Sequence, residues 1–315
     1  MVTQSIHAPN EVIESIQEEG FTVIQDPAKA KVDIVFVHGV LGKQPCWTSE
    51  SGIFWPQKLL APKLPDARIL SYRYTEKIRF SEGKTDASVA CLVYGRLIDD
   101  LAEHRKEKAS KNRPILFVAH CLGGVILEGS IVHAWDDNSQ KELVSCIRGI
   151  LLLGTPHFKE GSELAAKKYF EYAMESNSAK PPEDLQELIS ISQNFFDLKQ
   201  KNEANFEIKS FRASIGNAVN EALAQWSNAL KPQLLGRGQL QLSQFADESE
   251  TDFKQVLRTL TRWWERIVQE SSENDEQEHD EPRVDFSGSS YNSGMQIGSN
   301  RSQISGLTFN TTNKV

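Results

Sequence analysis

The stretch Ile115-Leu116-Phe117-Val118-Ala119-His120-Cys121-Leu122-Gly123-Gly124-Val125-Ile126 constrains this chain more than any other. An apolar run suited to a buried strand stops at one polar atom, and two glycines then open an apolar segment suited to a helix. A backbone can pass from strand to helix that abruptly only through a strained turn, and the small residues Ala119 and Gly123 make room for it. Such an elbow holds the side chain at its apex out at the end of a sheet, where it can serve as a nucleophile. Serine is usual at that apex; here it is Cys121.

The surroundings of the elbow predict the architecture. Phe21–Ile24, Val32–Val37, Ala67–Tyr72, the elbow strand, Ile147–Gly154 and Phe206–Phe211 read as strands. Val32–Val37 and Ile147–Gly154 are near-continuous apolar runs, the mark of strands covered on both faces. Between them lie a short helix after Phe54-Trp55-Pro56, an amphipathic helix over Val89–Arg105, helices at Leu164–Met174 and Leu185–Phe196, and a closing helix from about Asp252 to Val268. Alternation of this kind predicts an α/β fold, a doubly wound and mostly parallel sheet, with ligands beyond the carboxyl ends of the strands. His38, Cys121 and Thr155 all follow strand ends. Ile215–Gly238 shows no convincing strand.

A length of 315 residues and a hydrophobic fraction of 39% allow one large domain with a short appendage, or two domains. The formal net charge of -8, with no basic block, argues against nucleic-acid binding. Met1–Asn10 is polar without a leader pattern, and no apolar run reaches the roughly 18 residues of a membrane span, so a cytoplasmic protein is expected. Cys46, Cys91 and Cys146 read as buried thiols of a reducing compartment, and nothing in their spacing calls for a metal or cofactor. From Gln269 the composition changes. Residues 269–285 are acid-rich and read as a disordered linker, and residues 286–315 form a separate Ser/Asn/Gly/Gln-rich tail; the domain proper is 1–268.

Five blocks in order carry a resemblance: Asp33-Ile34-Val35-Phe36-Val37-His38-Gly39, Phe54-Trp55-Pro56, Pro65-Asp66-Ala67-Arg68-Ile69-Leu70-Ser71-Tyr72, the elbow, and Ile147-Arg148-Gly149-Ile150-Leu151-Leu152-Leu153-Gly154-Thr155-Pro156-His157. Together they resemble the lipase/esterase-like α/β-hydrolase domains at the N-termini of fungal NLR-type receptors and in small relatives of the SesB type. The resemblance spans about Val32 to Phe158 and continues more weakly to Trp264. It implies a sheet of the α/β-hydrolase type and an oxyanion hole made by the backbone amides of Val40 (or Leu41) and Leu122.

A nucleophile of this class needs a histidine base in the loop after the last strand, braced by an acid. Of the seven histidines, none lies between Phe206 and Trp264. By the resemblance, Gln239-Leu240-Gln241-Leu242-Ser243-Gln244-Phe245 stands where the family has its His-Leu motif, so Gln239 occupies the histidine position, and Ala213 stands where the acid is expected. An amide cannot act as a base near neutral pH. His157, at another strand end, is the candidate rescuing base. Two readings stay open: a hydrolase whose catalysis is lost or weakened, and an active lipase/esterase or thioesterase using Cys121, whose thiol retains some thiolate near neutral pH.

The tail contains a near-repeat, Gln296-Ile297-Gly298 and Gln303-Ile304-Ser305, in a low-charge context without proline. Such segments can stack in register as cross-β with Asn and Gln ladders. Asn292, Gly294, Gln296, Ile297, Gly298, Gln303, Ile304 and Gly306 are the candidate self-assembly residues, and the segment resembles the amyloid signalling motifs of fungal cell-death systems. That resemblance implies an effector switched by its tail, a partner NLR-type receptor with a matching motif, and an acyl or lipid ligand for the core.

Overall fold

The computed structural model describes residues 19–39, 46–74, 88–106, 110–136, 140–174, 185–201, 205–216, 219, 221–225 and 231–279. The chain divides into two units, Met1–Glu270 and Ser271–Val315. Cys121 and the elements around it belong to the first.

Seven strands form one sheet: β1 Gly20–Gln25, β2 Val32–Val37, β3 Ala67–Arg73, β4 Ile115–His120, β5 Ile147–Leu153, β6 Glu207–Ala213 and β7 Gln233–Leu235. Their spatial order is β1-β3-β2-β4-β5-β6-β7. Among the described strands, only β1 runs antiparallel to its neighbour, and the other pairings are parallel. The mostly parallel sheet is as the strand and helix alternation predicts, and it is of the α/β-hydrolase type that the resemblance implies. The strand missing from the sequence reading is β7. It is three residues long, and its Gln233 and Leu234 are exposed, so it carries no periodic apolar signal.

Period-two alternation divides the strands between two cores. Val35, Val37, Ile115, Phe117, Ala119, Ile150 and Leu152 face one side. There they meet α1 (Ser88–His104), α2 (Leu122–Asp136) and α5 (Gln186–Gln200). Ile34, Phe36, Leu116, Val118, Leu151 and Leu153 face the other side, with Trp47, Trp55 and α7 (Thr251–His279). Helix α7 presents Phe253, Val256, Leu260, Trp263 and Ile267 at three- and four-residue spacing, one continuous apolar stripe. Helix α2 is different: Leu122 through Ile131 is buried throughout, because the sheet, α1 and α5 all pack against it. The remaining helices are α3 (Lys141–Ser145), α4 (Glu163–Met174) and α6 (Glu221–Ala224).

The closing helix is expected to end near Val268 but continues to His279, into the segment the sequence reads as linker. Once the packed turns are formed, each further residue adds a hydrogen bond without a new nucleation step, and Gln and Glu propagate helix well. Residues 280–315, including every candidate self-assembly residue, lie outside the described residues.

At the amino end of the strands, Asp33 of β2 is fully buried between two arginines. Its Oδ1 accepts a hydrogen bond from Arg113 at 2.8 Å, and its Oδ2 lies 3.2 Å from the equally buried Arg105. Arg105 also donates to the carbonyls of Ser110 and Arg113 at 2.6 and 2.5 Å. Burial lowers the Arg105 pKa, and the Asp33 charge opposes that shift. Removing the carboxylate leaves a buried guanidinium without its counter-ion. Asp33→Ala is therefore expected to lose about 3–5 kcal/mol in urea unfolding; a loss under about 1 kcal/mol would show that the cluster is not structurally required.

Candidate functional site

Cys121 lies between β4 and α2 with φ at 56°, a left-handed value rare for a residue with a side chain. The backbone holds it there. The Cys121 N–H donates to the Leu153 carbonyl at 2.9 Å, and the Gly124 N–H donates to the Cys121 carbonyl at 3.1 Å. The two glycines allow close approach. A Cβ at Gly123 would stand 2.2 Å from the His38 carbonyl oxygen, and one at Gly124 would stand 2.1 Å from Thr155 Oγ1. Helix α2 thus starts in contact with both the β2 exit and the β5 exit. The strand–turn–helix elbow expected from the sequence is present.

The residue after the apex, Leu122, opens α2, where first-turn N–H groups have no acceptor inside the helix. Gly39 lies alongside: a Cβ there would stand 2.6 Å from Cys121 Cβ. Residues Val40 and Leu41, the other candidate oxyanion donors, lie outside the described residues. His38 stacks on Tyr74 with ring centroids 4.2 Å apart, and the Tyr74 hydroxyl donates to the His38 carbonyl at 2.6 Å.

The side chain of Cys121 is fully buried, and its sulfur shares a hydrogen bond of 2.8 Å with the hydroxyl of Tyr169 on α4. Phe158 and Phe170 pack against Tyr169 at 6.3 and 5.4 Å between ring centroids. The Phe158 N–H donates to Ser192 of α5, and the His157 N–H donates to the Leu223 carbonyl of α6. Aromatic side chains from the segment after β5 therefore cover the elbow.

Gln239 follows β7 and precedes α7, at the position where the resemblance implies a histidine. It is buried beside the end of β5: its Nε2 donates to the Gly154 carbonyl at 2.6 Å. Cys121 N–H and the Gln239 amide are thus bound to successive carbonyls of one strand end. Ala213 ends β6, at the position where the resemblance implies an acid, and is also buried.

His120 points to the opposite face from Cys121, against Trp47, with ring centroids 6.2 Å apart. Its Nε2–H donates to the Gln239 carbonyl at 2.9 Å, so the neutral ring presents its Nδ1 lone pair to Cys46 Sγ at 3.7 Å. Cys146 is buried, as expected of a plain core thiol, whereas Cys46 is only half-buried.

His157 is buried beyond β5, and its Nδ1 stands 3.1 Å from Oε1 of Glu128, itself fully buried in α2. The approach is close but not aligned as a hydrogen bond, and neither Glu128 oxygen makes one among the described residues. Thr155 Oγ1 is likewise buried without a hydrogen bond. Glu128 is seven residues past Cys121, about 10 Å along the helix axis. The sequence reading missed both Glu128 and Tyr169. A lone carboxylate within the apolar run Leu122–Ile131 was the available signal for the first; Tyr169 reads as an ordinary core aromatic of an amphipathic helix.

Among the described residues, no group of three or more His, Cys, Asp or Glu side chains could hold a metal ion, and no helix is long and apolar enough to cross a membrane. No family model matches the chain. It is similar to Protein SERAC1 of Danio rerio, 24% identical over 213 residues that make up 61% of this chain and 32% of that protein. It is also similar to Protein SERAC1 of Mus musculus, 24% identical over 43% of this chain and 23% of that protein. The matched part is thus about a third or less of these curated relatives. Among solved structures, a lipase-esterase related protein from Clostridium acetobutylicum is 14% identical, covering 78% of this chain and 99% of its own, at a TM-score of 0.43. A soluble variant of monoglyceride lipase from Saccharomyces cerevisiae is 13% identical, covering 78% and 90%, at 0.44.

Burial holds the His120 pKa down at about 4, with the Gln239 carbonyl opposing that shift and His38 adding to it. The unfolded chain takes up this proton near 6.5, the folded chain only near 4. Stability contributed by the neutral ring is therefore complete above pH 6.5 and is lost as pH falls toward 4, by about 3 kcal/mol in all. Urea unfolding across that window is expected to show this slope, and His120→Asn to flatten it; an unchanged slope in the variant assigns the acid sensitivity elsewhere.

Proposed function

We propose that this chain is an effector built on a lipase/esterase-like α/β-hydrolase fold whose ester hydrolysis is lost or severely weakened, and which acts through assembly of its C-terminal tail. The observation that carries the first part is the position of Gln239. It fills the loop after the last strand, and its amide is engaged with the Gly154 carbonyl. Hydrolysis at an elbow needs a base to take the nucleophile's proton and later to activate water. Gln239 can do neither, and Ala213 cannot brace a base. The burial of Cys121 under Tyr169 supports the same reading, since an ester carbonyl needs open approach to the sulfur.

The second part rests on sequence. The Gln-Ile-Gly and Gln-Ile-Ser near-repeat and its resemblance to fungal amyloid signalling motifs support a cytoplasmic cell-death or incompatibility effector. An NLR-type receptor with a matching motif would template stacking of residues 286–315, and the core would respond by exposing a surface or binding an acyl or lipid ligand.

One observation favours a second reading, an active lipase/esterase or thioesterase working through Cys121. His157 Nδ1 stands 3.1 Å from Glu128 Oε1, which pairs an imidazole with a carboxylate as an alternative base would require once the two align.

With full-length protein and short-chain p-nitrophenyl esters, wild type and Cys121→Ala are expected to give the same background rate. Cys121→Ser combined with Gln239→His is expected to raise turnover. Clear wild-type turnover lost in Cys121→Ala would overturn the first reading, and its further loss in His157→Gln would establish the second. For the tail, a peptide of residues 286–315 is expected to form fibres with the strand spacing of about 4.7 Å. A peptide that stays monomeric removes the switch.

A further inference from the structure

The contact between Tyr169 and Cys121 does not follow from the elbow. Tyr169 comes from α4, 48 residues along the chain, yet its hydroxyl lies 2.8 Å from the sulfur with both side chains fully buried. The direction of the bond follows from the two groups. A phenol O–H is a far stronger donor than a thiol S–H. The sulfur also stands at the amino end of the 15-residue α2, where the helix dipole favours negative charge on it. The phenol is therefore the donor and the sulfur the acceptor. The ring is held independently of its hydroxyl, edge-on to Phe170 at 74° and to Phe158 at 67°.

We propose that Tyr169 is a positioning residue for Cys121: its hydroxyl donates to the sulfur and favours the thiolate, so a phenol and a helix terminus do for this thiol part of what an imidazole does in a complete triad. The inference rests on Cys121 being the nucleophile-position thiol, which both functional readings share. It deepens the first reading, because a hydroxyl that favours the thiolate does not supply the base that Gln239 fails to supply for activating water.

Among the described residues, the neighbouring titratable groups make contacts of their own. His120 of β4 faces Trp47 and the Gln239 carbonyl, and His38 at the β2 exit stacks on Tyr74. His157, beyond β5, and Glu128 of α2 face one another. The buried residues of α5 are Leu188, Ile189, Ile191, Ser192, Phe195 and Leu198, none of them titratable.

The test is the rate of Cys121 alkylation by iodoacetamide as a function of pH, read by mass spectrometry of the Cys121 peptide from full-length protein. Tyr169→Phe is expected to move the inflection upward by about one pH unit and to slow alkylation near neutrality about tenfold. The Cys146 profile serves as an internal control and should not move. A fluorinated tyrosine at position 169 keeps the shape, donates more strongly, and is expected to move the Cys121 inflection downward. If Tyr169 is only a cover, Tyr169→Phe changes the rate equally at every pH with the inflection fixed, and that result overturns the proposal. An inflection unmoved by the fluorinated side chain overturns it as well, without relying on loss of the hydroxyl. Because the readout is the sulfur's own reactivity, the proposal can fail while the reading of lost hydrolysis stands, and the reverse.

Discussion

Everything around the candidate site depends on one close backbone contact. Helix α2 begins directly against the exit of β2, with no room at Gly123 for even a methyl group beside the His38 carbonyl. Because that approach is so tight, the chain has to turn within a single residue between β4 and α2, and Cys121 takes the left-handed conformation that makes this turn. The hydrogen bond from Cys121 N–H to the Leu153 carbonyl then joins the elbow to the next strand. A strained residue persists only where its surroundings over-determine it, and here two strand exits and a buried helix do so.

From that fixed point the two faces of the sheet diverge. The sulfur of Cys121 goes with the core of α1, α2 and α5, while His120, one residue earlier, goes with Trp47 and α7. Adjacent residues thus serve unrelated environments. One thiol is bonded to a phenol; the imidazole is kept neutral by burial and bonded to a carbonyl of the loop that follows β7. That loop brings Gln239 to the end of β5, where its amide ties the loop down as a structural fastening. Three further buried polar groups, Glu128, His157 and Thr155, lie where α2 passes the β5 exit.

Much of the fold was legible beforehand because its signals are local. Continuous apolar runs mark β2, β4 and β5, and amphipathic spacing marks α1 and α7. The elbow announces itself by a polar residue between an apolar run and two glycines. β7 was not legible, since three residues at a sheet edge with two exposed side chains produce no pattern. The end of α7 is not legible either, because composition measures the lack of apolar area, whereas helix propagation needs only a packed stem to extend from.

The sequence by itself determined the sheet, the elbow and the absence of any histidine between Phe206 and Trp264, because each is written in contiguous residues or in a count. It could not determine what touches the Cys121 sulfur. Tyr169 looks like an ordinary core aromatic, and the lone carboxylate of Glu128 does not name what it faces. Their partners, Cys121 and His157, are distant along the chain, and only the folding of helices α2 and α4 around one strand end brings them into contact.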